Sequence, residues 1–390
     1  MHLSAPRYIS NMPHEIWLEI FEYFAPTPRQ LPMPRDPQSP LVREGVAWTS
    51  PNPNTLYVLS QVCSLFNNLA MQVARRQLVV GPHYDIHFWV NALAKDGKGH
   101  LVKRIEVHNV HSGLLHGLMR FLPNATDMYL RHTNASITNN PLTTGTGVVQ
   151  TNFQSLTDLT LSGLSAFATF QVLRNLSTVA RALERLWLFH LMRGDANLST
   201  AGGRYTLPHL EWLIVGAPGG RWQPGRADDA MRAILTAVPA MFDLPRIKRF
   251  DNLDVLGYQE PFFSRFGQQL EVIAITSEDL DLDTNADFPA HCPNLKTVVI
   301  VLIHRHLRMA MLQLPASVER IVIRIPEFLP WQAEEHGVAL LRQALCNIAH
   351  RRPPALDTVA ISGITPWGRS SGWLCRSTAR LLHQGVRVLT

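Results

Sequence analysis

Apolar residues recur along most of this chain at one spacing, apolar-x-x-apolar-x-apolar. The instances are Val102-Ile105-Val107, Ala125-Met128-Leu130, Leu156-Leu159-Leu161, Leu183-Leu186-Leu188, Leu210-Leu213-Val215, Leu270-Ile273-Ile275, Leu295-Val298-Ile300, Val318-Ile321-Ile323 and Leu356-Val359-Ile361. Alternation in the second half of each unit predicts a short strand with one face in a core. Most units follow one another at intervals between roughly the low twenties and the low thirties of residues, so the pattern repeats. Near residue 250 two phasings fit, Ile247-Phe250 and Phe250-Leu253-Val255, and the pattern does not choose between them.

Several return segments carry helical periodicity: Ala168 to Arg181, Asp228 to Ala237, and Gly337 to His350 with Val338, Leu341, Leu345 and Ile348 on one stripe. Ser377 to Leu382, then Val386 and Val388, predict a last helix and strand. Thr133 to Thr151 and Ala217 to Gly225 are rich in Gly, Asn, Thr and Pro and predict irregular loops. Pro123, Pro208 and Pro293 stand just ahead of their strands, as punctuation.

The period and the triplet together resemble the leucine-rich repeat. The resemblance implies a curved α/β solenoid over residues 81–390, each unit supplying one parallel strand. On that geometry a row of side chains faces the concave surface: Glu106, Tyr129, Trp187, Ile214, Ala274, Val299, Val322 and Ala360, with His108, Arg131, Phe189 and Arg324 beside it. Tyr, Trp and Arg dominate binding hot spots, which makes Tyr129, Arg131, Trp187 and Phe189 the candidate target-binding group. The competing expectation is that Trp187 and Phe189 pack on neighbouring strands.

Residues 8–80 follow a different pattern. Pro13 sits at a helix start, with Glu15 near the positive end of the helix dipole. Ile16, Ile20 and Phe24 share one face and Trp17 and Phe21 the next, so the helix has two apolar faces to bury. A proline-rich stretch, 26–53, predicts a loop. Helical periodicity resumes from Asn54-Thr55 with Leu59, Val62, Cys63, Phe66, Leu69 and Ala70, and a third helical stretch is expected over Met71 to Leu78.

Met12-Pro13-x-Glu15-Ile16-x-x-x-Ile20-Phe21-x-Tyr23-Phe24, followed by Leu59-Ser60-x-Val62-Cys63-x-x-Phe66-x-x-Leu69-Ala70, resembles the F-box. Met12 replaces the family's usual Leu, Phe66 its frequent Trp, and the loop lengthens a helix connection that is ordinarily short. The resemblance implies a three-helix module that docks the Skp-type adaptor of a cullin-RING ubiquitin ligase while the rest of the chain recruits a protein substrate. Adaptor contacts are expected at Met12, Pro13, Ile16, Ile20, Phe21, Leu59, Val62 and Cys63. The alternative is a stand-alone repeat scaffold whose helical cap has no ligase role.

Composition narrows the remaining classes. A chain of 390 residues, 46% hydrophobic and 17% charged, can bury a large core. Its formal net charge of +6 is spread without a basic block, so nucleic acid is not an expected partner. Cys63, Cys292, Cys346 and Cys375 form no Cys-x-x-Cys pair, and residues 1–7 carry no apolar signal core, so a cytoplasmic or nuclear, membrane-free protein is expected. The pairs His83/His87, His108/His111 and His304/His306, with His116, lack a carboxylate or cysteine at ligand spacing. Gly145-Thr146-Gly147 and the glycines from Gly216 to Gly220 read as turns. No nucleophile, phosphate-loop or metal motif is present, so neither catalysis nor a cofactor is expected.

Overall fold

The computed structural model describes residues 12–24, 58–59, 61–80, 90–91, 93–95, 97–108, 118–131, 153–189, 204–216, 228–253, 260–276, 288–302, 314–324, 334–362 and 372–389. It is an α/β protein. The elements are α1 (His14–Phe24), α2 (Ser64–Arg75), β1 (Gln77–Val80), β2 (Arg104–His108), β3 (Asp127–Arg131), β4 (Asp158–Ser162), α3 (Ala166–Val179), β5 (Arg185–Phe189), β6 (Tyr205–Thr206), β7 (Trp212–Val215), α4 (Asp228–Met241), β8 (Phe242–Asp243), β9 (Arg249–Asn252), α5 (Glu260–Phe266), β10 (Val272–Thr276), α6 (Phe288–His291), β11 (Thr297–Val301), β12 (Arg320–Arg324), α7 (Glu334–His350), β13 (Thr358–Ser362), α8 (Gly372–His383) and β14 (Arg387–Leu389). Two compact units divide them, one holding the described residues up to 162 with 171–182, the other the described residues of 163–170 and from 183 on. The loop at 26–53 and the expected loops at 133–151 and 217–225 lie outside the described residues.

In the first unit β1, β2, β3 and β4 pair side by side in parallel, with Leu78, Ile105, Met128 and Leu159 in one register row. β1 begins at Gln77, so the third helix expected over Met71 to Leu78 is not formed as such: α2 runs from Ser64 to Arg75 and its last turn passes directly into the sheet. β-branched Val79 and Val80 and pairing with β2 outweigh the helical propensity there. The sheet thus starts inside the span expected to be purely helical.

In the second unit β5, β7, β9, β10, β11, β12, β13 and β14 also pair in parallel. Every apolar triplet named above enters a strand, its first residue lying just ahead of the strand and the other two inside it. The ambiguity near 250 resolves to Ile247-Phe250, because Phe250 lies in register with Leu213 and Ile273. Phe250 is fully buried and stacks on Phe262 at 4.2 Å, with Phe263 edge-on at 5.7 Å, so α5 covers the strand with its apolar side. α7 buries Leu341, Leu345 and Ile348 on one stripe.

The repeated unit is longer than the triplet. Ahead of most strands a tight turn closes with an i+3 N–H donating to the i carbonyl, as in Val102 to Gly99, Ala125 to Leu122, Leu156 to Phe153, Ile247 to Leu244, Leu270 to Gly267, Leu295 to Cys292 and Leu356 to Pro353. Residue i is buried in each. Proline at i+1, as in Pro123, Pro245, Pro293 and Pro354, is preset for such a turn by its fixed φ, which is why prolines precede these strands. The residue after the turn offers one carbonyl to two donors of the next unit. Lys103 O accepts from Thr126 N–H at 2.8 Å and Asp127 N–H at 3.1 Å, and Lys248 O accepts from Glu271 N–H at 2.8 Å and Val272 N–H at 3.1 Å. The same fork recurs at Arg76, Thr126, Glu184, Glu211, Glu271, Lys296 and Glu319. Side chains at the turn add rungs, with Asn124 Nδ2 donating to His100 O and Asn294 Nδ2 to Gln268 O.

Successive turns stack so closely that two of them tolerate only glycine at position i. A Cβ on Gly99 would run into the Phe121 carbonyl oxygen, and one on Gly267 into the His291 carbonyl oxygen, with Cys292 Sγ at 3.0 Å. α8 ends in a Schellman motif, Gly385 N–H donating to Leu382 O and Val386 N–H to Leu381 O, with Gly385 at φ 80°.

Gly267→Ala is expected to destabilise by about 2 kcal/mol or more, the cost of overpacking against backbone. Gly385→Ala is expected to lose about 1 kcal/mol, the cost of a left-handed residue that bears a Cβ. Urea midpoints at constant slope check both. Burial pushes the Cys292 thiol from its ordinary 9.0 to about 12. A raised folded-state value means that this group's contribution to stability is whole below pH 9.0 and is lost as pH rises toward about 12. In the native protein at pH 8, iodoacetamide is therefore expected to modify exposed Cys346 and to reach Cys292 only after denaturant is added, as peptide mass mapping would show.

Candidate functional site

The helical module is built around Phe66. Pro13 supplies the carbonyl that accepts from Ile16 N–H at 3.1 Å and Trp17 N–H at 3.3 Å, so it caps α1 without losing a donor of its own. Trp17 lies 4.9 Å from Phe66 and Phe21 meets the same ring edge-on at 5.1 Å. Cys63, Leu69, Ala70 and Val73 complete this core, with Leu18, Ile20, Leu59 and Leu65 packed around it. Of the two apolar faces of α1, the one with Trp17 and Phe21 is therefore satisfied within the module.

On the other face Ile20 is packed against this core and Ile16 is left open, as are residues outside α1. Met12 is 40% exposed, Ile16 43%, Val58 59% and Val62 46%, and Pro13 is exposed beside them. With Met71 on α2, the module thus carries five of the eight exposed large hydrophobic residues among the described part of the chain. Two expected adaptor contacts are corrected by this arrangement: Phe21 and Cys63 are buried core residues, held inward by Phe66, and have no surface to present. Ile20 and Leu59 are half-buried against that core, leaving Met12, Pro13, Ile16 and Val62 as the expected residues that stand out from it. Val58 was not among the expected contacts; its exposure depends on how the chain enters α2 and leaves no trace in the periodicity.

Two of the four expected target-binding residues are not on a surface. Tyr129 and Trp187 are each only 2% exposed. Trp187 Nε1 donates to the Gly216 carbonyl oxygen at 2.9 Å, so its polar edge is bonded within the protein. Glu106, Ile214, Ala274 and Val299, expected in the same open row, are buried as well, while Val322 and Ala360 are half-buried. The expectation of a partner-facing row is thereby corrected for most of its length. Arg131 and Phe189 end β3 and β5, and their side chains, like that of His108, lie outside the described residues. His83, His87, His111, His116, His304 and His306 lie outside them too.

The same row contains a polar cluster that motif reasoning missed. Arg249 and Asp251, two apart on β9, point to one side of the sheet and pair bidentately, Nε to Oδ1 at 2.8 Å and Nη2 to Oδ2 at 2.9 Å. Both are buried, and the guanidinium lies 4.0 Å over the Trp212 ring of the adjacent strand. The spacing Arg-x-Asp says nothing until the strand register near 250 is known, and that register was the ambiguous one. Removing one member of such a pair strands a buried charge.

Among the described residues no group of three or more His, Cys, Asp or Glu side chains is placed to hold a metal ion, and no helix is long and apolar enough to cross a membrane. The cleft on the turn edge formed by Glu211, Arg246, Lys248, Gln269 and Glu271, about 360 Å³, is shallow and lined by charges of both signs. No protein-family model matches the chain, and no curated protein matches it as a relative.

Asp251→Ala is expected to cost about 3–5 kcal/mol in urea unfolding, whereas the double change Arg249→Met with Asp251→Leu is expected to recover most of that loss. Equal destabilisation by the single and double variants would show that the pair is not what the site depends on.

Proposed function

We propose that the chain is a substrate-recognition subunit of a cullin-RING ubiquitin ligase, its N-terminal helices forming an F-box-like module that docks a Skp-type adaptor. The supporting observation is the division of α1: Trp17 and Phe21 close the module's own core while Ile16, with Met12 ahead of the helix and Val58 and Val62 elsewhere in the module, stays exposed. Apolar side chains clustered on one small module are what helix-in-groove docking uses.

The parallel units are read here as an irregular leucine-rich-repeat solenoid that holds a protein target. The repeated turn, the single strand per unit and the helical returns support that reading. In this scheme no residue does covalent chemistry; the protein raises the effective concentration of a target beside the ligase. The compartment that fits is cytoplasmic or nuclear, where such ligases work.

Full-length chain is expected to retain a Skp-type adaptor in a pull-down. Ile16→Asp is expected to weaken that binding by about 2 kcal/mol or more, which is roughly 30-fold, by placing a charge in a desolvated contact. Phe167→Asp, an exposed apolar position outside the module, serves as the control and is expected to leave binding unchanged. Absence of wild-type binding, or equal binding by Ile16→Asp, would reduce the protein to a repeat scaffold with a helical cap.

A further inference from the structure

At the last strand of the second unit the backbone fork has lost one leg. Asp357 O accepts from Arg387 N–H at 2.8 Å, while the N–H of Val386, which holds the place of the other donor, is taken by Leu381 O at 3.0 Å in the turn that ends α8. One N–H cannot serve both fully, so the Schellman motif of α8 competes with the second leg. β14 also pairs with β13 over three residues, where β10, β11, β12 and β13 pair with one another over five. Leu374, Leu381 and Val386 anchor the segment in the core, but Leu382 and Leu389 stay 54% and 52% exposed.

Side chains supply part of what the backbone lacks. Arg352, just past α7, donates from Nη1 to the Gln384 carbonyl oxygen and from Nη2 to the Leu356 carbonyl oxygen at 3.0 Å. Gln384 reaches back, its Nε2 donating to Ala349 O at 3.1 Å. One guanidinium and one amide thus tie the end of α8 to the end of α7 and to the turn ahead of β13. Arg387 Nη2 also donates to Asp357 Oδ2 at 2.9 Å, but both side chains stand mostly in solvent, where such a pair holds little. The closed arrangement carries a cost of its own. Arg352 Nε and Gln384 Oε1 are buried and find no partner among the described residues, a desolvation penalty that water removes once the segment opens.

We infer that residues 372–389 open as one terminal segment while the strands before them stay folded, with Arg352 as the catch that holds the segment closed. In a stack of repeats an end element has a neighbour on one side only, so it can leave without disturbing the others. Opening parts β14 from β13 and bares the edge of Thr358–Ser362, a row of backbone N–H and C=O groups able to pair again. The device lies in the other unit from the helical module and does not rest on the function proposed above.

Hydrogen exchange of the native full chain, read by mass spectrometry of its peptides, tests this. Protection within 372–389 is expected to be at least about tenfold lower than in β10, β11 and β12. Arg352→Gln is expected to lower it at least about tenfold further while leaving β10, β11 and β12 unchanged, whereas an arginine that only stabilised the unit as a whole would lower all of them together. Arg342→Gln, at an exposed position about two turns ahead of Ala349 on α7, is the control and is expected to leave exchange unchanged. Should Arg352→Gln not fold, Gln384→Leu removes the return bond and is expected to lower protection of the same peptides several-fold. Equal protection of 372–389 and β10 to β12 in the wild type, or variants that change both regions alike or neither, would overturn the inference.

Discussion

The fork at most strand starts, one carbonyl accepting two N–H groups from the following unit, is the constraint on which this structure depends. A carbonyl oxygen has two lone pairs, so it can hold the last residue of one approach and the first of the strand at once. Within each unit of the fold most repeats are thereby locked to their predecessor at one register, and the apolar triplets fall into rows. Close stacking follows, and with it the need for glycine at Gly99 and Gly267, where a neighbouring backbone carbonyl occupies the space of a side chain.

Register also decides what the strand faces can hold. Once units are locked, i and i+2 residues on one strand stand on the same side, and residues at equal positions on adjacent strands become neighbours. Trp212 and Arg249 stack for that reason, and Arg249 finds Asp251. Such a buried pair is weak as a source of net stability, because desolvation offsets most of the Coulomb gain. Its effect is to penalise a slip: a one-residue shift of β9 would separate the guanidinium from the Trp212 ring and carry both charges to the other face.

The helical module follows a different logic. Few residues share its core, and the Phe66 ring must serve both Trp17 and Phe21. A module this small cannot bury two faces of one helix, so the leftover apolar surface at Met12 and Ile16 is a consequence of size before it is a sign of function. The F-box-like reading assigns that surface a purpose. The periodicity placed a helix here, and packing decided which of its residues remain outside.

By itself the sequence determined the strands that carry the apolar triplets and several of the helical returns, because the two apolar periods are imposed locally by the alternation of side chains on a strand and their 3.6-residue recurrence on a helix. It also determined that α1 has two apolar faces. The tertiary structure alone decided which face is closed, where the chain near 250 enters the sheet, and that Tyr129 and Trp187 are interior. Each of these depends on a partner distant in sequence: Phe66 for Phe21, Leu213 and Ile273 for Phe250, Gly216 for Trp187. An aromatic residue carries the same pattern whether it faces a partner protein or a neighbouring strand, since apolar area is all that periodicity records.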